Sequence, residues 1–456
     1  MTDYHIFFFG GTGIRVAQAL VFACAYGLLN NSRLYLTVLD TDKGASFDKL
    51  KETVEDYQHL HQRWKTMRND PIKQNHASSM FPLFGAEIKH YEPLPYYLAN
   101  RAPGTLRDEL STKTKTKAEY TVLHGILGDD SSNRVVGTGL YANPAVGAYL
   151  LREEMEADVA LGKVANRPDQ NEKVALCASS FGGTGVAAAE VMLREFGENG
   201  TWHKKQMKVK AFLIQPYFSI KPGEAETEHW DEGEAENRHA EVKRHYGLRR
   251  NGDVQFIGSA YPERWMRGEY KDHDQENLPD LTEWVAAIEI AAWLQKENKR
   301  DIWSLRADMQ QTRERFYELA VIWTKRFHPT LPPSPEHKKR FPTFSPMFYG
   351  DIHLKCDTRL NKCPAQENCR HQENCLNKLN NFLLAFYRWH RKMQTKDFTD
   401  ASELFDAATQ LEITGYRHTS EQFEHGKKLW SLAASKGCDG MEDLFSNLFY
   451  ALGRMV

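Results

Sequence analysis

The 456-residue chain has no run of about 18 uninterrupted apolar residues, the length a membrane helix needs. The nearest candidate, Val16 to Leu29, is too short and holds Gln18. The opening residues Met1-Thr2-Asp3-Tyr4-His5 lack the basic region and small-residue cleavage site of a secretory signal. The expected location is therefore the cytoplasm, with no membrane partner. An excess of charge is also missing: 59 Lys+Arg stand against 61 Asp+Glu, a net charge of -2. That gives no global field for nucleic acid and no acidic tail. Cysteines are few and odd in number, 7 in all, and four fall within Cys356–Cys375, which in an unsecreted chain points to a metal cluster rather than disulfides.

What is present is a core-forming composition, with 41% hydrophobic, 12% aromatic and 26% charged residues, enough for two or three domains. Tyr4–Phe9 is a short apolar run that stops at Gly10-Gly11-Thr12-Gly13, and an alanine-rich helical pattern follows to Leu29. Leu34–Leu39 is a second run, closed by Asp40-Thr41-Asp42. Short runs rich in β-branched and aromatic residues, alternating with helices, predict buried parallel strands of an α/β domain. Residues 46–133 change character, with His, Lys, Arg, Asn and Pro clusters, and read as a mostly helical insertion. The α/β rhythm resumes at Val174–Ala178, a turn at Ser180–Gly185, and a helix at Val186–Phe196. Strands at Val209–Pro216 and Val254–Ser259 flank a charged helix over Ala225–Tyr246. Pro279–Gln295 predicts an amphipathic helix with Leu281, Trp284, Val285, Ile288, Ala291 and Ala292 on one face. Strand signals nearly vanish beyond Arg300, and Pro329–Pro346 reads as a linker.

Two glycine turns, Gly10-Gly11-Thr12-Gly13 and Gly182-Gly183-Thr184-Gly185, each follow a strand and open a helix. Glycine lets a backbone approach an anion, and a helix start offers N–H groups and a positive dipole end. Tight packing of a strand-to-helix turn explains either loop equally well alone. Neither fits the Walker phosphate-loop pattern, and the first lacks dinucleotide-binding G-x-G-x-x-G spacing, although Asp40 sits at a suitable distance for a ribose contact.

A third segment, Ala142-Asn143-Pro144-Ala145-Val146-Gly147, lies between these loops. The ordered set resembles the tubulin/FtsZ superfamily, most closely its divergent bacterial tubulin-like branch. The match spans roughly residues 4–300 with the insertion set aside. The resemblance implies a Rossmann-like parallel sheet of GTPase type binding GTP or GDP, with Mg as accompanying ion. The phosphate-side residues would be Gly10, Gly11, Thr12, Gly13, Asp40, Asp42, Asn143, Gly182, Gly183, Thr184 and Gly185. Asn277 and Asp280, at the start of the family's central helix, would read the guanine edge, with a helix N-cap as the competing explanation for each. The chain departs from the pattern at Phe181 and Val186, which replace glycines, and Phe181 is expected to narrow the approach to the phosphates. No Asn-x-Asp pattern follows the central helix near Asp301–Asp308, so hydrolysis is expected to be slow or absent, with no catalytic residue assigned. The family's second-domain strands are also missing, which favours a nucleotide-dependent interaction or assembly component, with a protein partner or self-association, over a filament. Association with bacterial defence comes with the family alone.

Cys356, Cys363, Cys369 and Cys375 sit in polar sequence, where four thiolates would close a structural zinc site or hold an iron–sulfur cluster. Cys24 and Cys177 stand in apolar context and read as core. Phe386–Lys392 is basic and aromatic, a nucleic-acid or partner surface or a solvated helix face. The expected organisation is a nucleotide-binding domain over 1–300, a helix and Pro-rich linker over 301–345, and a cysteine-cluster, helical, metal-stapled region over 346–456. Two rivals stand beside it: a Rossmann-type dinucleotide enzyme using Gly10–Gly13 and Asp40, and a scaffold with a decayed nucleotide pocket and a zinc-stabilised binding region.

Overall fold

The computed structural model describes residues 1–25, 27–40, 46–69, 84–95, 105–113, 116–132, 147–148, 151, 160–197, 200–204, 206–221, 232–247, 254–258, 266–271, 274–276, 280–295, 381–382, 385–386 and 389. In chain order the elements are β1 (Thr2–Phe9), α1 (Gly10–Ala25), β2 (Ser32–Asp40), α2 (Ser46–Asn69), β3 (Glu87–Pro95), α3 (Leu106–Lys113), α4 (Lys117–Ser132) and α5 (Ala160–Ala165). There follow β4 (Lys173–Ser179), α6 (Gly183–Phe196), β5 (Lys208–Ile214), β6 (Phe218–Lys221), α7 (Glu232–Gly247), β7 (Val254–Ile257), β8 (Met266–Lys271), β9 (Asp274–Glu276) and α8 (Leu281–Gln295).

The fold is α/β. Six strands form one sheet in the order β3-β2-β1-β4-β5-β7, every pairing parallel. β1 and β4 are apolar along most of their length because helices cover both faces of a parallel sheet. On one face Phe7, Phe9, Leu176 and Leu213 share a core with Val191, Met192 and Phe196 of α6 and Val242 and Tyr246 of α7. The Phe7 and Phe196 rings lie 5.8 Å apart. On the other face Phe212 meets Trp293 of α8 edge-on at 5.9 Å. Cys24 and Cys177 are both free thiols in the core, their pKa values pushed up by burial.

The chain divides into two compact units. The first comprises Met1–Ala23, Asn31–Val54 and Ala86–Arg300, and contains the sheet. The second comprises Cys24–Asn30, Glu55–Gly85 and Asp301–Val456. Its described residues include the later part of α2 and an aromatic cluster of Tyr57, Phe84 and Phe382, with His61 Nδ1 2.6 Å from the Phe84 carbonyl.

Three expectations are corrected. Residues 46–133 are not only helical: β3 adds an edge strand parallel to β2, paired from Arg33↔Glu87 to Asp40↔Pro95 with a one-residue register shift between Leu34 and Tyr35. Pro93 and Pro95 disguised it, because a strand tolerates proline only where its N–H faces no partner, at an edge. α8 is not amphipathic. Burial runs nearly all round it and takes in Thr282 and Glu283. Phe386 and Trp389 are buried, so these two rings form no exposed stacking surface. A further sheet, β6-β8-β9, went unread because Met266–Glu276 is polar and charged, without the apolar alternation of a strand.

At the N-terminal end of the sheet His5 Nε2 meets Glu172 Oε2 at 3.0 Å and stacks on Tyr35 at 4.5 Å. Burial lowers the His5 pKa from 6.5 to about 4, and burial raises that of Glu172, so the contact is a neutral imidazole N–H donating to a carboxylate. The folded pKa lies below the unfolded one. Between about pH 6.5 and 4 the unfolded chain therefore takes up a proton that the native state refuses, and stability falls with pH. Unfolding midpoints in urea at pH 7 and pH 5 are expected to show a loss that His5→Gln, which keeps a donor for Glu172, reduces by about 1–2 kcal/mol. An unchanged slope in the variant would contradict this placement.

Candidate functional site

The two glycine turns stand side by side. β1 and β4 are adjacent and in register up to Phe9↔Ala178, so they end level and release their helices together. Gly10 has φ +71°, a left-handed conformation that favours glycine, and a Cβ placed on it would stand 3.5 Å from the Gly185 amide nitrogen. A Cβ on Gly13 would stand 2.9 Å from the Phe8 carbonyl carbon, and one on Gly185 3.3 Å from the Phe9 carbonyl oxygen. Glycine at 13 and 185 thus lets α1 and α6 lie directly against the strands, which is packing, whereas Gly11 is only partly buried.

The chain runs outward from β1 through β2 to β3 and returns at β4 beside β1. The strand order reverses there, and in open α/β sheets the crevice beyond the strand ends at such a switch point is where ligands bind. Neither α1 nor α6 has an acidic residue in its first turn, and the α6 N-cap, Gly182, makes no side-chain cap. Two positive helix ends, neither offset by a carboxylate in its own first turn, therefore meet at one point, an arrangement that attracts anions.

Beneath this turn lies a buried polar network. Arg15, one turn into α1, donates from Nε to Glu283 Oε1 at 2.6 Å and from a terminal nitrogen to Tyr217 Oη at 2.9 Å and Thr12 Oγ1 at 3.1 Å. Tyr217 donates its hydroxyl to Glu283 Oε1 at 2.7 Å. Burial pushes Glu283 up, while Arg15 opposes that shift. Burial also works against the Arg15 charge, but the Tyr217 and Glu283 oxygens outweigh it and hold the guanidinium protonated. Burial raises Tyr217 well above its ordinary range, keeping it a neutral donor. The other Glu283 oxygen accepts from the Asp280 N–H at 3.1 Å, and Asp280 Oδ1 accepts from the Thr282 N–H at 2.7 Å. Asp280 thus caps α8 through the Thr282 N–H, and Glu283 reaches back to the Asp280 N–H as the N3 residue of a capping box does.

Phe181 does not stand alone over the turn. Its ring packs edge-on against Phe218 at 5.3 Å and Tyr217 at 6.4 Å, and Arg15 lies 5.1 Å over the Phe218 ring. Phe181 thus belongs to the aromatic wall around the buried network.

Ser180 and His239 form a second contact. Ser180 Oγ donates to the Ile214 carbonyl at 2.9 Å, so it accepts from His239 Nδ1 at 2.8 Å. His239 is shifted downward by burial and by Lys243, and is neutral at pH 7. The distance suits a nucleophile and base, but Ser180 is 0% exposed and its proton is committed to a carbonyl. The pair fastens α7 to the second glycine turn.

Of the sequence candidates, the structure brings together Gly10, Gly11, Thr12, Gly13, Gly182, Gly183, Thr184 and Gly185 at this crevice. Asp40 ends β2, the next strand across, and is buried. Asp280 is 4% exposed and caps α8. Asp42, Asn143, Asn277, Cys356, Cys363, Cys369 and Cys375 lie outside the described residues, as do Asp301 and Asp308. Among the described residues no group of three or more His, Cys, Asp or Glu side chains is placed to hold a metal ion. Sequence reasoning missed Arg15, Tyr217 and Glu283. A signal existed: Arg15 is the single charge in the apolar α1, and Glu283 is one of two in the apolar α8. Opposite charges isolated in two such helices point to each other.

No helix among the described residues is long and apolar enough to cross a membrane. No family model, curated protein or solved structure matches the chain.

Proposed function

We propose that the crevice between the two glycine turns binds the phosphates of a guanine nucleotide, and that the protein is a nucleotide-dependent interaction or assembly component with slow or absent hydrolysis. The observation that carries this is the meeting of Gly10 and Gly185 at the switch point, where two helix starts converge without a carboxylate in either first turn. Backbone N–H groups of Gly11, Thr12, Gly13, Thr184 and Gly185 would supply the cradle, since Arg15 is already neutralised by Glu283. The guanine preference rests on the tubulin-like order of motifs. Capping and burial restrict Asp280 as a reader of the base, which leaves Asn277 as the stronger candidate for that role. A zinc or iron–sulfur site at Cys356, Cys363, Cys369 and Cys375 belongs to the same proposal.

One observation favours the dinucleotide alternative. The order β3-β2-β1-β4-β5-β7 with an acidic residue ending β2 is also the arrangement in which such folds hold a ribose. Equilibrium binding of labelled GTP, ATP and NAD to the full chain separates the two, with metal analysis of the same preparation reading the cysteine cluster. GTP binding that ATP and NAD fail to displace is expected. NAD binding without GTP binding would overturn the guanine reading, and a preparation free of zinc and iron would overturn the metal site.

A further inference from the structure

We infer that the Arg15–Glu283 pair is a positioning device for the glycine-turn site, fixing the first turn of α1 against the start of α8 so that residues which do not touch the ligand set its affinity. This rests on the nucleotide-phosphate reading of that site. Three observations carry it. The guanidinium reaches Thr12, a member of the first glycine turn, and Glu283, the third residue of the α8 start, at the same time. Tyr217, between β5 and β6, closes the triangle by bonding both partners. Glu283 also holds the Asp280 N–H, so one carboxylate ties the α1 turn, the β5–β6 connection and the α8 cap together.

Stability alone does not account for the network. A buried ion pair gives up so much hydration that a well-packed apolar pair of similar volume is often as stable or more so. What an apolar pair cannot do is aim Thr12. The guanidinium fork and the carboxylate have fixed directions, and a side chain bonded to them has one place to stand. A direct phosphate contact by Arg15 would have to compete with a carboxylate already 2.6 Å from it.

The test compares nucleotide affinity with thermal stability in variants of the full chain. Arg15→Met and Glu283→Leu, made singly, are expected to lower the melting temperature, each leaving a buried group without its partner. The double variant Arg15→Met/Glu283→Leu is expected to recover most of that stability. It should still bind GTP about tenfold or more weakly, the scale on which coupled sites commonly act. Tyr217→Phe, which removes one hydroxyl and leaves both charges paired, should weaken GTP about 3- to 10-fold. It decides the matter if the double variant does not fold. A double variant, or in its place Tyr217→Phe, that binds GTP like the wild type would leave the pair a structural element and overturn the inference while the site stands. A wild-type protein that binds no nucleotide overturns the site reading and this inference with it.

Discussion

Replacing Glu283 by leucine is expected to cost about 3–5 kcal/mol of folding stability, the range for removing one member of a buried charge pair. The size follows from what is left behind. Glu283 is 0% exposed and its removal strands the Arg15 guanidinium, only 12% exposed itself, with no counter-charge. Tyr217 loses the acceptor for its hydroxyl, and the Asp280 N–H loses half of the capping box. Each buried donor left unmade adds about 1–3 kcal/mol before the structure relaxes. Glu283→Gln, which keeps the shape and one acceptor, should fall between the leucine variant and the wild type. Denaturant unfolding of the three proteins reads the effect. A leucine variant within about 1 kcal/mol of the wild type would mean that the network is open to water, against the burial described here.

The same residue shows where sequence reading ends. The strands at the centre of the sheet were legible because burial on both faces forces continuous apolar runs: Ile6-Phe7-Phe8-Phe9 and Val174–Ala178 admit no polar face. The glycine turns were legible because a left-handed Gly10 and the tight approaches at Gly13 and Gly185 demand glycine at fixed places after a strand. β3 was hidden by its prolines, which only its edge position allows. β8 and β9 were hidden by their charge. The Arg15–Glu283 contact spans 268 positions, and no local pattern encodes such a pairing. Its trace in the sequence was indirect: one isolated cation and an opposing carboxylate, each in an apolar helix. Asp280 was legible only as two alternatives, and its bond to the Thr282 N–H assigns it to the cap.

An anionic phosphate at the paired glycine turns, as proposed, would be felt most sharply by Gly11→Asp. Gly11 stands in the first turn of α1, is only partly buried and has no positive φ, so its backbone conformation does not demand glycine. A carboxylate at a helix start is favoured by the dipole by about 0.3–1 kcal/mol, so the variant should fold at least as stably as the wild type. The same negative charge would face the bound phosphate. At about 4 Å and an effective dielectric of 20, two like unit charges repel by about 4 kcal/mol, and multiple phosphate charges increase this. Gly11→Asn has nearly the same shape and no charge, and isolates the electrostatic part. Isothermal titration of GTP into the three proteins is the measurement. Tight binding to the wild type is expected, with a loss of no more than about tenfold in Gly11→Asn and of at least about 100-fold in Gly11→Asp, whose melting temperature should be unchanged or raised. Equal affinity in Gly11→Asp and Gly11→Asn would contradict the proposal, because a phosphate held at these turns must feel the added charge.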